Sequence, residues 1–285
     1  MPGQVMGVLN VTPDSFFDGG RWLDHRSAVA HGMALFAEGA DVVDVGGEST
    51  RPGAAPVSTD EEAARVVPVI EALAPHGRVS VDTRHAFVAI AAVRAGATLI
   101  NDVSASLYEV AAAEKVGWVA MHMQGAPQTM QANPHYDDVV SEVASFLFER
   151  ADRARLAGVN EVWIDPGIGF GKTVAHNISL LRSLETLTVS QYPVLIGLSR
   201  KSFLGKLAGD GSTAPSDDRL EASVAAAVLA LDKGASMVRV HDVKETVRAA
   251  GVVNAVNGPG DTRNGRIAAV ESGGFQAASN VGVTA

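Results

Sequence analysis

The chain of 285 residues contains no cysteine, which excludes disulfides, thiolate metal sites and thiol nucleophiles. Aromatic residues make up only 5%, too few for the stacking platforms on which single-stranded nucleic acids are bound. Basic residues fall short of acidic ones, 23 against 32, and the net charge of -9 repels DNA, RNA and anionic membranes, while local basic residues can still hold a small anion. No apolar run approaches the roughly 18 residues of a membrane span, and MPGQVMGVLN has no basic segment ahead of an apolar one. A soluble, cytoplasmic protein of bacterial type is expected, with neither nucleic acid nor membrane as partner. What is abundant is glycine, 29 residues, within an ordinary 47% hydrophobic and 19% charged composition that suits tight turns and an Ala/Val core.

Short β-branched runs alternate with Ala-rich segments of helical period, the pattern of repeated βα units around a parallel sheet. The strand candidates are 5–11, 41–45, 78–82, 98–103, 118–121, 161–165, 194–198 and 237–240, eight in all, the number that a TIM barrel needs. Gly39, Gly96, Gly117, Gly158 and Gly234 each stand shortly before a strand, where left-handed helix C-caps are expected. Ser58 and Glu61 have capping-box spacing ahead of the apolar face of Val66, Val67, Val69, Ile70 and Leu73, and Pro68 is expected to kink or divide that helix. The predicted fold is a single α/β domain over residues 1–256. Residues 257–285, rich in Gly, Ala, Ser and Asn without periodicity, read as a flexible tail.

In such a barrel, reactive groups gather where strands end and βα loops begin. Here the strand ends carry Asn10, the GGESTRPG segment with Glu48, Thr50 and Arg51, then Asp82, Asn101 and Asp102, His122, Asp165, Ser199 to Lys201, and Arg239 to His241. Acids and amides suit the donor and acceptor edge of a flat heterocycle, and Thr50, Arg51, Arg239 and His241 suit phosphate oxygens. A two-part site for heterocycle and phosphate follows. GIGFGKT, residues 167–173, imitates a Walker phosphate loop but has three residues between its glycines where that motif needs four. Without cysteine and without a dense His cluster, any metal should be a hard ion on oxygen ligands, such as Mg²⁺.

Taken together, GVLNVTPDSFFDGG, DVGGESTRPGA, SVDT, NDV, MHMQG, DPGIGFGK, GLSRKSFLG and RVHDV resemble dihydropteroate synthase from about Val5 to about Val256. The resemblance implies a TIM barrel that joins p-aminobenzoate to 6-hydroxymethyl-7,8-dihydropterin pyrophosphate, giving 7,8-dihydropteroate and pyrophosphate, by a dissociative path through a pterin-stabilised cation. It assigns Asp82, Asn101, Met121, Asp165, Phe170, Gly197, Lys201 and Arg239 to the pterin, with the arginine on the ring face. Asn10, Thr50, Arg239 and His241 fall to the pyrophosphate, Asn10 also being the protein ligand of Mg²⁺. Phe16, Thr50, Arg51, Pro52, Ser199 and Ser202 fall to p-aminobenzoate, the two serines at the start of the seventh helix. Asp18, Arg51 and Lys201 are implied to be catalytic, the first two on loops that close over the site. Sulfonamides, which mimic p-aminobenzoate, are implied to bind in the same pocket.

Phe17 stands where many relatives have a small polar residue, which bears on sulfonamide sensitivity. A pterin-binding methyltransferase barrel would share Asp82, Asn101 and Asp165 without needing STRPG and SRKS. A silent pterin-binding paralogue would not need Asn10, Arg51, Lys201 and His241, which are all present. The small-residue face of 222–231 suggests a homodimer through the last helices.

Overall fold

The eight runs form eight parallel strands in the computed structural model, which describes residues 3–12, 21–49, 57–208 and 219–257. In chain order these are β1 (Gln4–Asn10), β2 (Val42–Gly46), β3 (Arg78–Asp82), β4 (Leu99–Asp102), β5 (Gly117–Met121), β6 (Val162–Asp165), β7 (Leu195–Gly197) and β8 (Met237–Val240). The helices are α1 (Arg21–Glu38), α2 (Thr59–Leu73), α3 (Ala86–Arg94), α4 (Tyr108–Glu114), α5 (Val139–Leu156), α6 (Val174–Arg182), α7 (Glu185–Thr188), α8 (Ser202–Ala208), α9 (Leu220–Asp232) and α10 (Val243–Asn257). Strand order runs β6-β5-β4-β3-β2-β1-β8-β7, and a parallel bridge from Ile164 to Val194 closes β6 onto β7 as a TIM barrel. That closure is the thinnest seam, since β7 has three residues and follows Pro193, which has no N–H to give; its carbonyl accepts from Ile164 N at 3.1 Å.

Strand parity sorts the interior from the jacket, because residues two apart share a face. Met6, Val42, Leu99, Val119, Trp163, Leu195 and Met237 pack on one another as a plug inside the barrel. Their strand neighbours, among them Val5, Val43, Val81, Ile100, Trp118, Ile164, Ile196 and Val238, belong to the larger cluster shared with the helices. Two residues beyond the plug residues, toward the carboxyl end, stand Val8, Asp44, Asn101, Met121, Asp165, Gly197 and Arg239, and Gly46 pairs in register with both Asn10 and Asp82. The apolar plug is therefore a floor with a polar layer above it.

Several local expectations are corrected. Gly39, Gly96, Gly158 and Gly234 do take positive φ, but Gly117 opens β5 instead, and the left-handed residue after α4 is Lys115 at φ 57°. Pro68 does not divide α2, which runs unbroken from Thr59 to Leu73; the proline is on the exposed face, where water can serve the carbonyl it leaves unbonded. Ser58 accepts from Glu61 N at 3.2 Å, yet the Glu61 carboxylate turns to Arg65, so only half the capping box forms. A complete box joins Thr173 and His176 at α6. The described residues end with α10 at Asn257, so the remainder of the tail expected to be flexible lies outside them.

Parity also separates Asn101 from Asp102. Asp102 is fully buried, and its carboxylate accepts from Ser104 N (2.8 Å), Ser106 N (2.7 Å), Leu107 N (2.7 Å) and the Trp118 indole (3.2 Å). It organises the loop before α4. Replacing it orphans buried donors, so Asp102→Ala should lose about 3 kcal/mol in chemical unfolding while leaving the native circular dichroism intact, and an unchanged midpoint would refute this role.

Candidate active site at the carboxyl ends of the strands

Above the plug, one guanidinium serves two acids. Arg239 on β8 donates from Nε to Asp44 Oδ2 at 2.6 Å and from Nη2 to Asp82 Oδ2 at 2.7 Å, crossing from β8 to β2 and β3. Asn101 Nδ2 adds a second bond to Asp44 Oδ2 at 2.9 Å. Burial works against the charge of Arg239, but the two carboxylates outweigh it and hold its pKa above the ordinary value. With one cation for two carboxylates, Asp82 is pushed up to about 7, first by burial and then, against Arg239, by Asp44. Asp44 itself is fully buried, and its Oδ1 has no hydrogen-bond partner among the described residues.

Asp44 is the member of the site that the sequence reading overlooked. Its signal was an acid within DVVDVGG, a run otherwise fit for a buried strand, where an unpaired charge is costly. Its presence also takes up one of the two amide N–H donors of Asn101, leaving the other donor and the carbonyl acceptor for a ligand.

Across the cup, Asp165 ends β6 with 5% of its surface exposed and accepts from Gly167 N at 2.7 Å. Burial raises its pKa, opposed chiefly by Lys201. Lys201 follows β7; burial draws its pKa down to about 8, with Asp165 opposing. Its Nζ donates to the Ile168 carbonyl and lies 5.0 Å from the centre of the half-buried Phe170 ring. A Cβ at Gly197 would come 3.7 Å from Lys201 Nζ and 3.9 Å from Arg239 Cβ, so a side chain there would grow into the space between the two cations. Met121 is buried on the interior face of β5 beside Asp165, its register partner.

Asn10 is half-buried at the end of β1, and a Cβ at Gly46 would stand 3.8 Å from its Oδ1 and 3.6 Å from Asp82 Oδ2. His241 Nδ1 lies 3.0 Å from Ser199 Oγ, and its backbone N–H donates to the same hydroxyl at 3.2 Å. Ser199 is thus turned toward the β8 loop, whereas Ser202, the first residue of the seven-residue α8, is exposed. Arg200 between them is left-handed at φ 58°, with its N–H on Ser223 Oγ at 2.9 Å and its guanidinium on Asp242 at 2.5 Å. Phe16, Phe17, Asp18, Thr50, Arg51 and Pro52 lie outside the described residues. The structure therefore brings together Asn10, Asp82, Asn101, Met121, Asp165, Phe170, Gly197, Lys201 and Arg239, with Ser199 and His241 at the rim.

For a metal, two donor sets can be compared. Glu48, Glu62 and His85 offer ligand atoms within 4.8 Å of one another, but Arg84 already binds Glu48 at 3.1 and 3.2 Å and His85 Nδ1 meets Glu62 Oε2 at 2.7 Å. Those donor atoms are already engaged with one another and with Arg84. Asn10 supplies a single neutral oxygen at the mouth, which fits Mg²⁺, an ion that keeps waters and takes its other ligands from substrate phosphates.

The chain matches the family of pterin-binding enzymes over residues 6–241. It is 48% identical to the dihydropteroate synthase of Escherichia coli K12 over 259 residues, 88% of this chain and 90% of that one. Among solved structures it resembles the Xanthomonas albilineans dihydropteroate synthase with 4-aminobenzoic acid at a TM-score of 0.83 and 48% identity, covering 90% of this chain and 93% of that one. The same bacterium's enzyme in complex with 7,8-dihydropteroate gives 0.80 and 46%, covering 90% and 94%. With its polar cup above an apolar plug and this similarity over nearly its whole length, the chain belongs to the dihydropteroate synthase family.

Proposed function

We propose that this chain condenses 6-hydroxymethyl-7,8-dihydropterin pyrophosphate with p-aminobenzoate in the cup above its barrel plug. The observation that carries the reading is the clustering of buried Asn101 and Asp165 with half-buried Asp82, Lys201 and Arg239, a set whose donors and acceptors suit an aminopyrimidine edge. Carboxylates accept from ring and amino N–H groups, the Asn101 carbonyl adds an acceptor, and Lys201 donates to ring oxygen or nitrogen. Met121 and Phe170 wall the flat faces, and Gly197 leaves room at the floor. The guanidinium of Arg239, anchored to Asp44 and Asp82, presents its plane to the ring.

The bond that breaks joins the pterin methylene carbon to the pyrophosphate oxygen, and its electron pair leaves with pyrophosphate. The pterin ring delocalises the resulting positive charge, the arylamine nitrogen forms the new C–N bond, and one amine proton passes to solvent. Asp82 and Asp165 stabilise the cationic ring, while Arg239 and His241 at the rim attract the leaving group. Mg²⁺ held at Asn10 would add positive charge to the pyrophosphate when bound. Ser199, with Ser202, Phe16, Thr50, Arg51 and Pro52, forms the proposed p-aminobenzoate side, and Asp18 with Arg51 the loops that close over it. A pyrophosphate ester does not cross a membrane unaided, so the chain is proposed to work in the compartment that makes this substrate, the cytoplasm in the present reading. Among the described residues no helix is long and apolar enough to span a membrane.

A homodimer through α9 and α10 is also proposed, though not through the small-residue face. Ala226, Ala227 and Ala230 pack inward on the barrel, while Leu229, Val252 and Val256 are exposed at 47%, 64% and 78%. Exposed apolar side chains on two helices that pack together suit a second copy. Light scattering should give twice the chain mass of 29.5 kDa, and Leu229→Glu with Val252→Glu should halve it; an unaltered mass in the double variant would remove this surface as the interface.

The decisive assay is pyrophosphate release from dihydropterin pyrophosphate and Mg²⁺ with and without p-aminobenzoate, then with added sulfamethoxazole. Release that requires p-aminobenzoate and is competed by the sulfonamide is expected; pterin binding without release would instead favour a silent pterin-binding protein. A pH dependence follows from Asp82. Below about 7 the free carboxyl holds a proton and loses its charge and part of its acceptor capacity, so pterin affinity should be level above that pH and fall below it, approaching ~10-fold per pH unit. Calorimetric titration at several pH values reads this directly, and affinity unchanged between about pH 8 and pH 6 would exclude Asp82 as an acceptor.

A further inference from the structure

GIGFGKT cannot be a Walker loop, yet its lysine is the most deeply buried basic side chain among the described residues, with 3% exposed. Lys172 turns inward. Its Nζ lies 2.9 Å from His122 Nδ1 and 3.1 Å from the carbonyl oxygens of both Gly167 and Phe170, with the Tyr136 ring centre 5.9 Å away. Three acceptors complete the donor set of an ammonium. Burial, reinforced by the Lys172 charge, pushes His122 down to about 3, so the ring is neutral, and the tautomer with its proton on Nε2 presents Nδ1 to the ammonium as an acceptor. Burial also draws Lys172 down to about 7, with Asp165 opposing.

The two carbonyls belong to the turn that builds one wall of the pterin cup. Gly167 gives its N–H to Asp165 Oδ1 at 2.7 Å, and Phe170 gives its N–H to Gly167 O at 3.0 Å. One ammonium thus grips both ends of the segment that fixes the Asp165 carboxylate and presents the Phe170 ring beneath Lys201. The turn has little slack: at Gly167, φ 62°, a Cβ would stand 1.9 Å from His122 O, and at Gly171, φ 61°, 2.4 Å from Gln124 O. Only glycine allows this loop to press so closely on the β5 loop.

We propose that Lys172 is a positioning residue for the pterin site, holding the Asp165–Phe170 turn in its binding shape from behind without touching the substrate. This rests on the pterin reading above and extends it to a residue outside the cup. The charges that face Asp165 are Lys201 from the β7 loop, Arg239 from β8 and Lys172 from its own loop, while His122 faces Lys172 from β5. Removing Lys172 subtracts one of three cations, so Asp165 should take up a proton at higher pH. Asp82 does not feel Lys172 among its principal charges, so its own titration should stay in place.

The chain has no cysteine, so Lys172→Cys carries a single thiol, which can be alkylated with 2-bromoethylamine in the unfolded state and refolded as a lysine with sulfur in place of one methylene. Binding of 6-hydroxymethyl-7,8-dihydropterin pyrophosphate is measured by calorimetry from about pH 5.5 to 8.5 for the full chain, Lys172→Met and aminoethylated Lys172→Cys. Lys172→Met should bind the pterin at least about tenfold more weakly, begin to lose affinity at higher pH than the parent, and keep its KM for p-aminobenzoate within roughly threefold. Aminoethylation should restore both affinity and pH profile. Pterin affinity and profile unchanged in Lys172→Met would overturn the proposal, as would equal losses for both substrates, the mark of general packing. If Lys172→Met does not fold, His122→Asn, which keeps an acceptor, and His122→Leu, which does not, replace it; equal pterin affinity in that pair overturns the proposal. A parent chain that binds no pterin at all would instead remove the functional reading on which the inference stands.

Discussion

The shared guanidinium of Arg239 is the constraint on which the cup depends. Two buried carboxylates on neighbouring strands would repel each other and empty the barrel mouth of structure unless a cation lay between them. Arg239 reaches them from β8 across β1, and Asn101 completes the arrangement from β4, so four strands are tied by polar contacts directly above an apolar plug. Because there is one positive group for two negative ones, the assembly is left short of charge balance. A ligand that brings its own N–H groups, and develops positive charge as it reacts, supplies what the protein omits.

This division between plug and cup explains how much was legible in the sequence. The barrel could be read because each βα unit repeats the same cues, a β-branched run, a polar strand end and a helix closed by glycine. Asp82, Asn101 and Asp165 stood out because each ends an apolar run, and Lys201 and Arg239 because SRKS and RVHDV set them at the close of their strands. Asp44 did not, because it sits inside one, and only the inward register it shares with Val42 and Gly46 distinguishes it from its neighbours. Asp102 was equally prominent in the sequence as Asn101, and only the alternation of faces sends one to the cup and the other to a loop. Gly117 misled for a related reason: a glycine before a strand can as well begin it, and Lys115 took the left-handed turn.

The β6 loop shows how a motif can be wrong in function yet right in importance. Its glycines do not cradle a phosphate, since the spacing is short and the lysine faces inward. They let the backbone approach His122 and Gln124 more closely than any Cβ would permit, and the ammonium of Lys172 then occupies the polar space so formed. Spacing alone could exclude the Walker reading, but the true partners of the lysine, two carbonyls of its own loop and an imidazole from the adjacent strand, are distant in sequence or generic in type.

The seam between β6 and β7 has a mechanical consequence. Every other neighbouring pair of strands is held by a ladder of several register pairs, whereas this one has a single bridge at Ile164 and Val194. Asp165 stands on one lip of that gap and Lys201 on the other, with the Lys201 ammonium already reaching across to the Ile168 carbonyl. A flat heterocycle gripped by both would act as the rung the sheet lacks. On the proposed reading the barrel would be a ring with a clasp, fastened by the molecule that reacts inside it.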